Sequence, residues 1–329
     1  MKRLLSLALT LVLVLSLFTI SASAASYEAI DAAYELNSFG LFSGVGTNAD
    51  GTTNFDLDRT PTRAEAVTML VRLLGKETEA KSEPWSTPFS DVAEWAKPYV
   101  GYAYAKGLTT GVGRDGKGGQ LFGGSMPTTA MQYLTFVLRA LGYSSETDFK
   151  WNESYVLTDK LGITSGEYNK STPSLTRGDL AIISYHAANT NLKDTSYTLL
   201  EVLQNNGIIS KDSKLSYHDV EFSASLSAVP GLSINKIEAL KAGSQYRFKI
   251  HYVSNCDRSF SVFEAGNQGE APYCFDMPRA SSLVIFNLDA SFCEKNKRIV
   301  CRFSNEQNEW NDYSDYDHIY IDTDQLLEK

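Results

Sequence analysis

Long apolar runs are scarce in this chain of 329 residues, and the one at residues 4–20 lies between Lys2-Arg3 and the small-residue run Ser21-Ala22-Ser23-Ala24-Ala25. It is shorter than the ~20 residues a spanning helix needs and has the three-part form of a signal peptide cleaved after Ala24. The mature chain is expected to be exported and soluble, with no membrane partner. Positive charge is in deficit: 30 Lys and Arg stand against 39 Asp and Glu, a net −9. Loss of Lys2 and Arg3 with the leader makes the balance two units more negative. Nucleic acid and anionic membrane are therefore excluded as natural partners, and the placement of individual arginines says more than their number.

Cysteine is missing until Cys256; Cys274, Cys293 and Cys301 complete the set, all in the last quarter. None has CxxC spacing, so that kind of thiolate metal site is excluded. An even count in an exported chain allows disulfides in three connectivities, with buried free thiols as the alternative. The four histidines, His186, His218, His251 and His318, are scattered, with no HExxH and no GxSxG elbow. Neither an enzyme nor a cofactor is expected. Gly111-Val112-Gly113-Arg114-Asp115-Gly116 fits GxGxxG, but no strand precedes it, no helix follows at once, and Gly118 stands where a phosphate loop needs Ser or Thr. Asp312, Asp315 and Asp317 lack the glycine and distal glutamate of a calcium loop. Trp310, Tyr313 and Tyr316 could stack on a sugar or simply pack at a strand edge.

What is present is a repeat. Three related segments each have a helical stretch ending in a glycine turn, a Gly/Asn/Asp-rich loop, a Thr-initiated second helix and an apolar finish. The first runs from Ala32 through Phe39-Gly40-Leu41 to Thr62-Arg63-Ala64-Glu65 and Leu73-Leu74-Gly75. The second reads Phe89-Ser90-Asp91-Val92, Trp95-Ala96, Ala103-Tyr104-Ala105-Lys106-Gly107-Leu108, Thr128-Thr129-Ala130-Met131 and Leu138-Arg139-Ala140-Leu141-Gly142. The third has Leu161-Gly162-Ile163 and Thr176-Arg177-Gly178-Asp179. Thr62 with Glu65 and Thr176 with Asp179 have capping-box spacing, which satisfies orphan N–H groups and puts an acid at the positive helix end. Ala66, Met69, Leu70, Leu73 and Leu74 share one helical face that needs helical partners.

This order of motifs resembles the S-layer homology domain over roughly half of the mature chain. The resemblance implies a pseudo-threefold helical spindle whose inter-repeat grooves bind secondary cell-wall polysaccharide, often pyruvate-modified. It makes Arg63 and Arg177 the carboxylate readers and brings Asp91, Trp95 and Gly107 into the same groove architecture. Arg63 could instead be a solvated residue paired with Glu65, and Trp95 a core residue. The second copy lacks the arginine, so its groove is expected to be altered.

The expected organisation is a signal peptide at 1–24, repeats at 25–80, 86–145 and 146–195, a linker or terminal helix at 196–215, and a β-sandwich at 216–329. In the last part Gln245 to Tyr252 alternates polar with apolar, as in a strand with one solvated face. Further strands are expected at 231–240, 258–264, 272–277, 282–289, 297–304 and 316–322. The fold class is thus multidomain, a helical bundle followed by a β-sandwich. The implied function is non-covalent anchoring to the cell wall or S-layer surface, with residues 216–329 contacting a glycan or another surface protein. The alternative is a component of a surface-layer lattice assembled through the β part.

Overall fold

The computed structural model describes residues 25–327 apart from 50, 173, 211–214, 216, 226–230, 243, 265–270, 272, 280 and 305–317. The leader and the cluster from Trp310 to Asp317 lie outside the described residues. Two hydrophobic cores form, one from residues between Ala29 and Ile209 and one from residues between Val220 and Leu326.

The first core is helical. Helix α1 (Tyr27–Ser38) is followed by hairpin β1 (Gly46–Thr47) and β2 (Thr53–Asn54), then α2 (Arg63–Leu73) and the short α3 (Glu77–Ser82). The pattern returns as α4 (Lys97–Ala105), hairpin β3 (Gly113–Arg114) and β4 (Gln120–Leu121), and α5 (Ala130–Ala140). It returns again, with no hairpin among the described residues, as α6 (Ser154–Lys160) and α7 (Arg177–Ala188), and α8 (Leu199–Asn205) closes the bundle. The GxGxxG segment is thus the β3–β4 hairpin, with Asp115 Oδ1 accepting from the N–H groups of Lys117 and Gly119.

Helices α2, α5 and α7 start beside one another. Thr128 N–H donates to Pro61 O at 3.0 Å, Leu175 N–H to Thr128 O at 3.2 Å, and Arg177 N–H to Arg59 O at 2.9 Å. The three N-termini are tied together by backbone around Thr128, which is fully buried. Further along, Tyr133 and Ser184 bond hydroxyl to hydroxyl at 2.7 Å between α5 and α7. Each start carries a complete capping box: Thr62 with Glu65, Thr129 with Gln132, and Thr176 with Asp179. The second cap is therefore Thr129, one residue later than the Thr128 of the sequence alignment. Thr128 is used up in the junction, and the position after the cap holds Ala130 where the other two helices hold Arg63 and Arg177.

The second core lies between a four-stranded and a five-stranded antiparallel sheet. The first has the order β11-β8-β7-β5 and comprises β5 (His218–Asp219), β7 (Leu232–Ala242), β8 (Gln245–Ser254) and β11 (Leu283–Asp289). The second has the order β10-β9-β12-β13-β6 and comprises β6 (Phe222–Ser225), β9 (Arg258–Glu264), β10 (Tyr273–Met277), β12 (Arg298–Phe303) and β13 (His318–Asp322). Phe260 and Phe286 meet edge to face across the two sheets at 5.2 Å. All four cysteines are free thiols. Cys293 and Cys301 are buried, and burial pushes the Cys293 thiol up to about 12.

One expectation fails instructively. Tyr246, Phe248, Ile250 and Tyr252 point into the sandwich as the alternation requires, yet Gln245, Arg247 and Lys249 on the other face are buried as well. Helix α1 meets Arg247 and Lys249. Lys249 Nζ lies 2.6 Å from Asp31 Oδ1 and 3.8 Å from Glu35 Oε1, with the Tyr217 ring centroid 3.8 Å away. The Arg247 guanidinium sits 3.2 Å from the centroid of the Tyr34 ring, and Tyr27 donates to Asp276 O at 2.6 Å. The polar stripe is a docking seam between the two cores. Replacing Lys249 by Met would leave Asp31 facing a covered surface without this cation; a loss of about 3 kcal/mol is expected in chemical denaturation, and an unchanged midpoint would show that the seam carries no charge energy.

Candidate functional site

The helix starts place arginine at the floor of two clefts built on one plan. In the first, of about 360 Å³, Arg63 faces Arg139, Thr135 and Gln132 of α5, the turn at Thr110-Gly111-Val112, and Trp151 at the rim. In the second, of about 480 Å³, Arg177 faces Arg72, Thr68 and Glu65 of α2, the turn at Ser43-Gly44-Val45, and Trp95 at the rim. The two sets superpose position for position along the repeat.

Both arginines are buried, with exposures of 4% and 5%, and both are held by backbone. Arg63 Nε donates to Phe122 O at 3.0 Å and Nη2 to Thr109 Oγ1 at 3.2 Å, while the guanidinium rests on the Phe122 and Phe136 rings. Arg177 Nε donates to Phe55 O at 2.8 Å and Nη2 to Ser43 O at 3.0 Å, over the Phe42 ring. Phe122 and Phe55 each follow the second strand of a hairpin, so the hairpin presents the carbonyl that positions the arginine. Burial, with Arg139 adding like-charge repulsion, lowers Arg63 to about 10. Burial also lowers Arg177. A buried guanidinium with neutral partners keeps unneutralised charge, which favours a carboxylate at the open side of the cleft.

The clefts differ in their other charges. Around the second, Arg72 makes a bidentate pair with Glu77 at 3.1 Å, and Glu77 also takes Lys81 and the Tyr99 hydroxyl. Glu65 closes its capping box and takes a bidentate pair from Arg59 at 3.0 and 2.9 Å. No carboxylate lines the first cleft. At the third equivalent position the plan is dismantled. Ala130 replaces the arginine, Tyr168 donates to Asp179 at 2.9 Å, and His186 lies 3.6 Å from Glu28.

The residues picked from sequence divide accordingly. Arg177 and Trp95 share the second cleft, while Arg63 lies in the first with Trp151. Arg63 is neither solvated nor paired with Glu65, whose partner is Arg59. Trp95 is 54% exposed and no core residue. Asp91 and Gly107 line neither cleft, a correction to their expected place. Asp91 spends both oxygens on the N–H groups of Phe122 and Gly123, at 2.7 and 2.8 Å, holding the strand that positions Arg63. Gly107 closes α4 at φ +72°, a conformation cheap only for glycine. Thr62, Thr176 and Asp179 serve as caps. Trp151, Arg139 and Arg72 were missed, although each recurs at the same place in the motif: Trp151 as Trp95 does, Arg139 as Arg72 does.

Fold and clefts together define a helical bundle with two arginine-floored grooves, carried on the same chain as a β-sandwich. No family model matches the chain. It is 37% identical over 143 residues to a cell surface protein of Thermoanaerobacter kivui, a match covering 42% of this chain and 18% of that one. It is 24% identical over 221 residues to the middle cell wall protein of Brevibacillus brevis, covering 62% of this chain and 20% of that one. A third relative, the surface layer protein of Brevibacillus choshinensis, is 31% identical over 148 residues, covering 43% and 12%. The chain thus spans a fifth or less of the length of these curated relatives. A Bacteroides vulgatus protein with an immunoglobulin-like β-sandwich fold matches 32% of this chain at 14% identity and a TM-score of 0.19. By name the three sequence relatives are proteins of the cell surface, the cell wall and the surface layer. No helix among the described residues is long and apolar enough to cross a membrane.

The Glu77 network gives a pH test. Its hydrogen bond from Arg72, followed by those from Lys81 and Tyr99, lowers Glu77 from the usual 4.5 to about 2. A depressed carboxylate contributes stability that is present above pH 4.5 and lost as pH falls through about 2. Glu77→Gln should therefore flatten the stability profile across that window in urea titrations, and a slope unchanged from the parent would contradict the assignment.

Proposed function

We propose that this chain is a non-enzymatic anchor that holds itself on the bacterial cell surface by binding an acidic wall polysaccharide in the two arginine-floored grooves. The carrying observation is the duplicated plan: a buried arginine without an acidic partner, a second arginine one helix face away, a Gly-containing turn and an exposed tryptophan at the rim. A sugar acid offers a carboxylate for the guanidinium fork and an apolar ring face for the indole, so one residue of such a polymer uses both features. Pyruvate-modified secondary cell-wall polysaccharide, the ligand that the S-layer homology resemblance implies, has this chemistry. The likeness to cell-surface and surface-layer proteins supports the same reading. The β-sandwich is the cargo, presented outward to a glycan or another surface protein.

Two grooves on one chain bind a repeating polymer with avidity, since the second contact is intramolecular once the first is made. Wall co-sedimentation of the full chain should show Trp95→Ala or Trp151→Ala alone weakening retention, and the pair weakening it by at least tenfold more. Both side chains are exposed, so folding should survive. Arg63→Lys with Arg177→Lys keeps the charge but removes the fork and the Nε–H bonds to Phe122 O and Phe55 O, so it should weaken retention similarly and lower the melting temperature, with retention measured below the variant's unfolding transition. Full retention by both double variants would overturn the proposal.

A further inference from the structure

A cleft larger than either groove lies apart from both. It opens along the docking seam, with a volume of about 560 Å³, between the β1–β2 hairpin and its following loop on one side and, on the other, the outer face of β8 and β11 with Phe275 at the edge of the sandwich. That volume falls inside the roughly 300–1,000 Å³ of ordinary ligand pockets. We propose that it is a separate binding site for an uncharged sugar residue, formed only when the two cores are docked.

The lining chemistry carries the inference. Three amides reach it: Asn48 and Asn54 from the hairpin and Asn287 from β11. Asn54 Oδ1 accepts from the Asp56 N–H at 2.9 Å, and Asn287 Oδ1 accepts from Arg247 Nε at 3.2 Å. Each bond fixes an amide and leaves its NH₂ group directed away from the occupied oxygen, so each can donate to a hydroxyl while neighbouring oxygens accept. Phe275 and Ile285 supply an apolar wall. A few convergent, positioned polar groups beside an apolar surface suit a polyhydroxylated ring.

Charge selects against the ligand of the other two clefts. Arg247 is buried, at 3% exposure, and is committed to Asn287 and to the Tyr34 ring. Asp56 and Asp58 line the same cleft. A carboxylate would meet Asp58, an Asp56 already paired with Arg59, and a spent Arg247, whereas the first groove offers two arginines and no acid. The fixed amides and the apolar wall, rather than a free charge, are what the cleft offers, and they suit an uncharged ring.

The test uses the full chain and a set of defined hexose and N-acetylhexosamine oligomers, titrated by ligand-observed NMR and calorimetry. At least one oligomer class should bind saturably. Asn54→Ala and Asn287→Ala should each weaken that binding at least fivefold, with the fold retained by circular dichroism. Trp95→Ala combined with Trp151→Ala should leave it within twofold, which separates this site from the grooves. Binding of no oligomer, binding that survives both cleft variants, or binding lost only in the tryptophan pair would each overturn the proposal.

Discussion

Arginine buried without a carboxylate is the constraint from which the helical half follows. Removing a guanidinium from water costs several kcal/mol unless its N–H groups are met. The fold meets those of Arg63 and Arg177 with the carbonyls of Phe122 and Phe55 and with aromatic faces. Those carbonyls exist where they do because a hairpin ends there, and the hairpin is pinned by its own contacts, as Asp91 pins the strand before Phe122. Caps, hairpins and the junction at Thr128 thus converge on holding two side chains whose charge the protein itself does not cancel. At Ala130 the constraint is absent, and the surrounding polar groups answer one another, Tyr168 bonding to Asp179 and His186 lying near Glu28.

The seam between the cores obeys the same rule in another form. Lys249 and Arg247 sit on a covered sheet face, and each is answered from α1, one by carboxylates and one by an aromatic ring. The helix that would have flanked the third groove is the one that receives the sandwich. The face without an arginine groove and the docking surface thus share one element, and the docking fixes the sandwich relative to the two clefts.

Much of this was legible in the sequence. Repeat order, helix starts at Thr62 and Thr176, and strands such as 258–264 followed from local signals: capping spacing, glycine turns and alternation. The one-residue slip at Thr128-Thr129 arose because either threonine can cap, and only the backbone ladder to Pro61 and Leu175 decides between them. Burial of Arg63 and of the polar face of β8 was illegible, because charged side chains read as solvated until their partners, far away in sequence, are known. Trp151 was within reach, since the place of Trp95 in the motif pointed to it.

The most direct test of the central claim observes the two arginines themselves. In ¹⁵N-resolved NMR of the full chain, the Nε–H signals of Arg63 and Arg177 should be present before ligand, as their bonds to backbone carbonyls protect them from exchange. Titration with purified wall polysaccharide should shift both signals saturably and leave that of Arg298, bound to Asp322 on the far sandwich, in place. Saturable polysaccharide binding with the Arg63 and Arg177 signals unmoved would contradict the account.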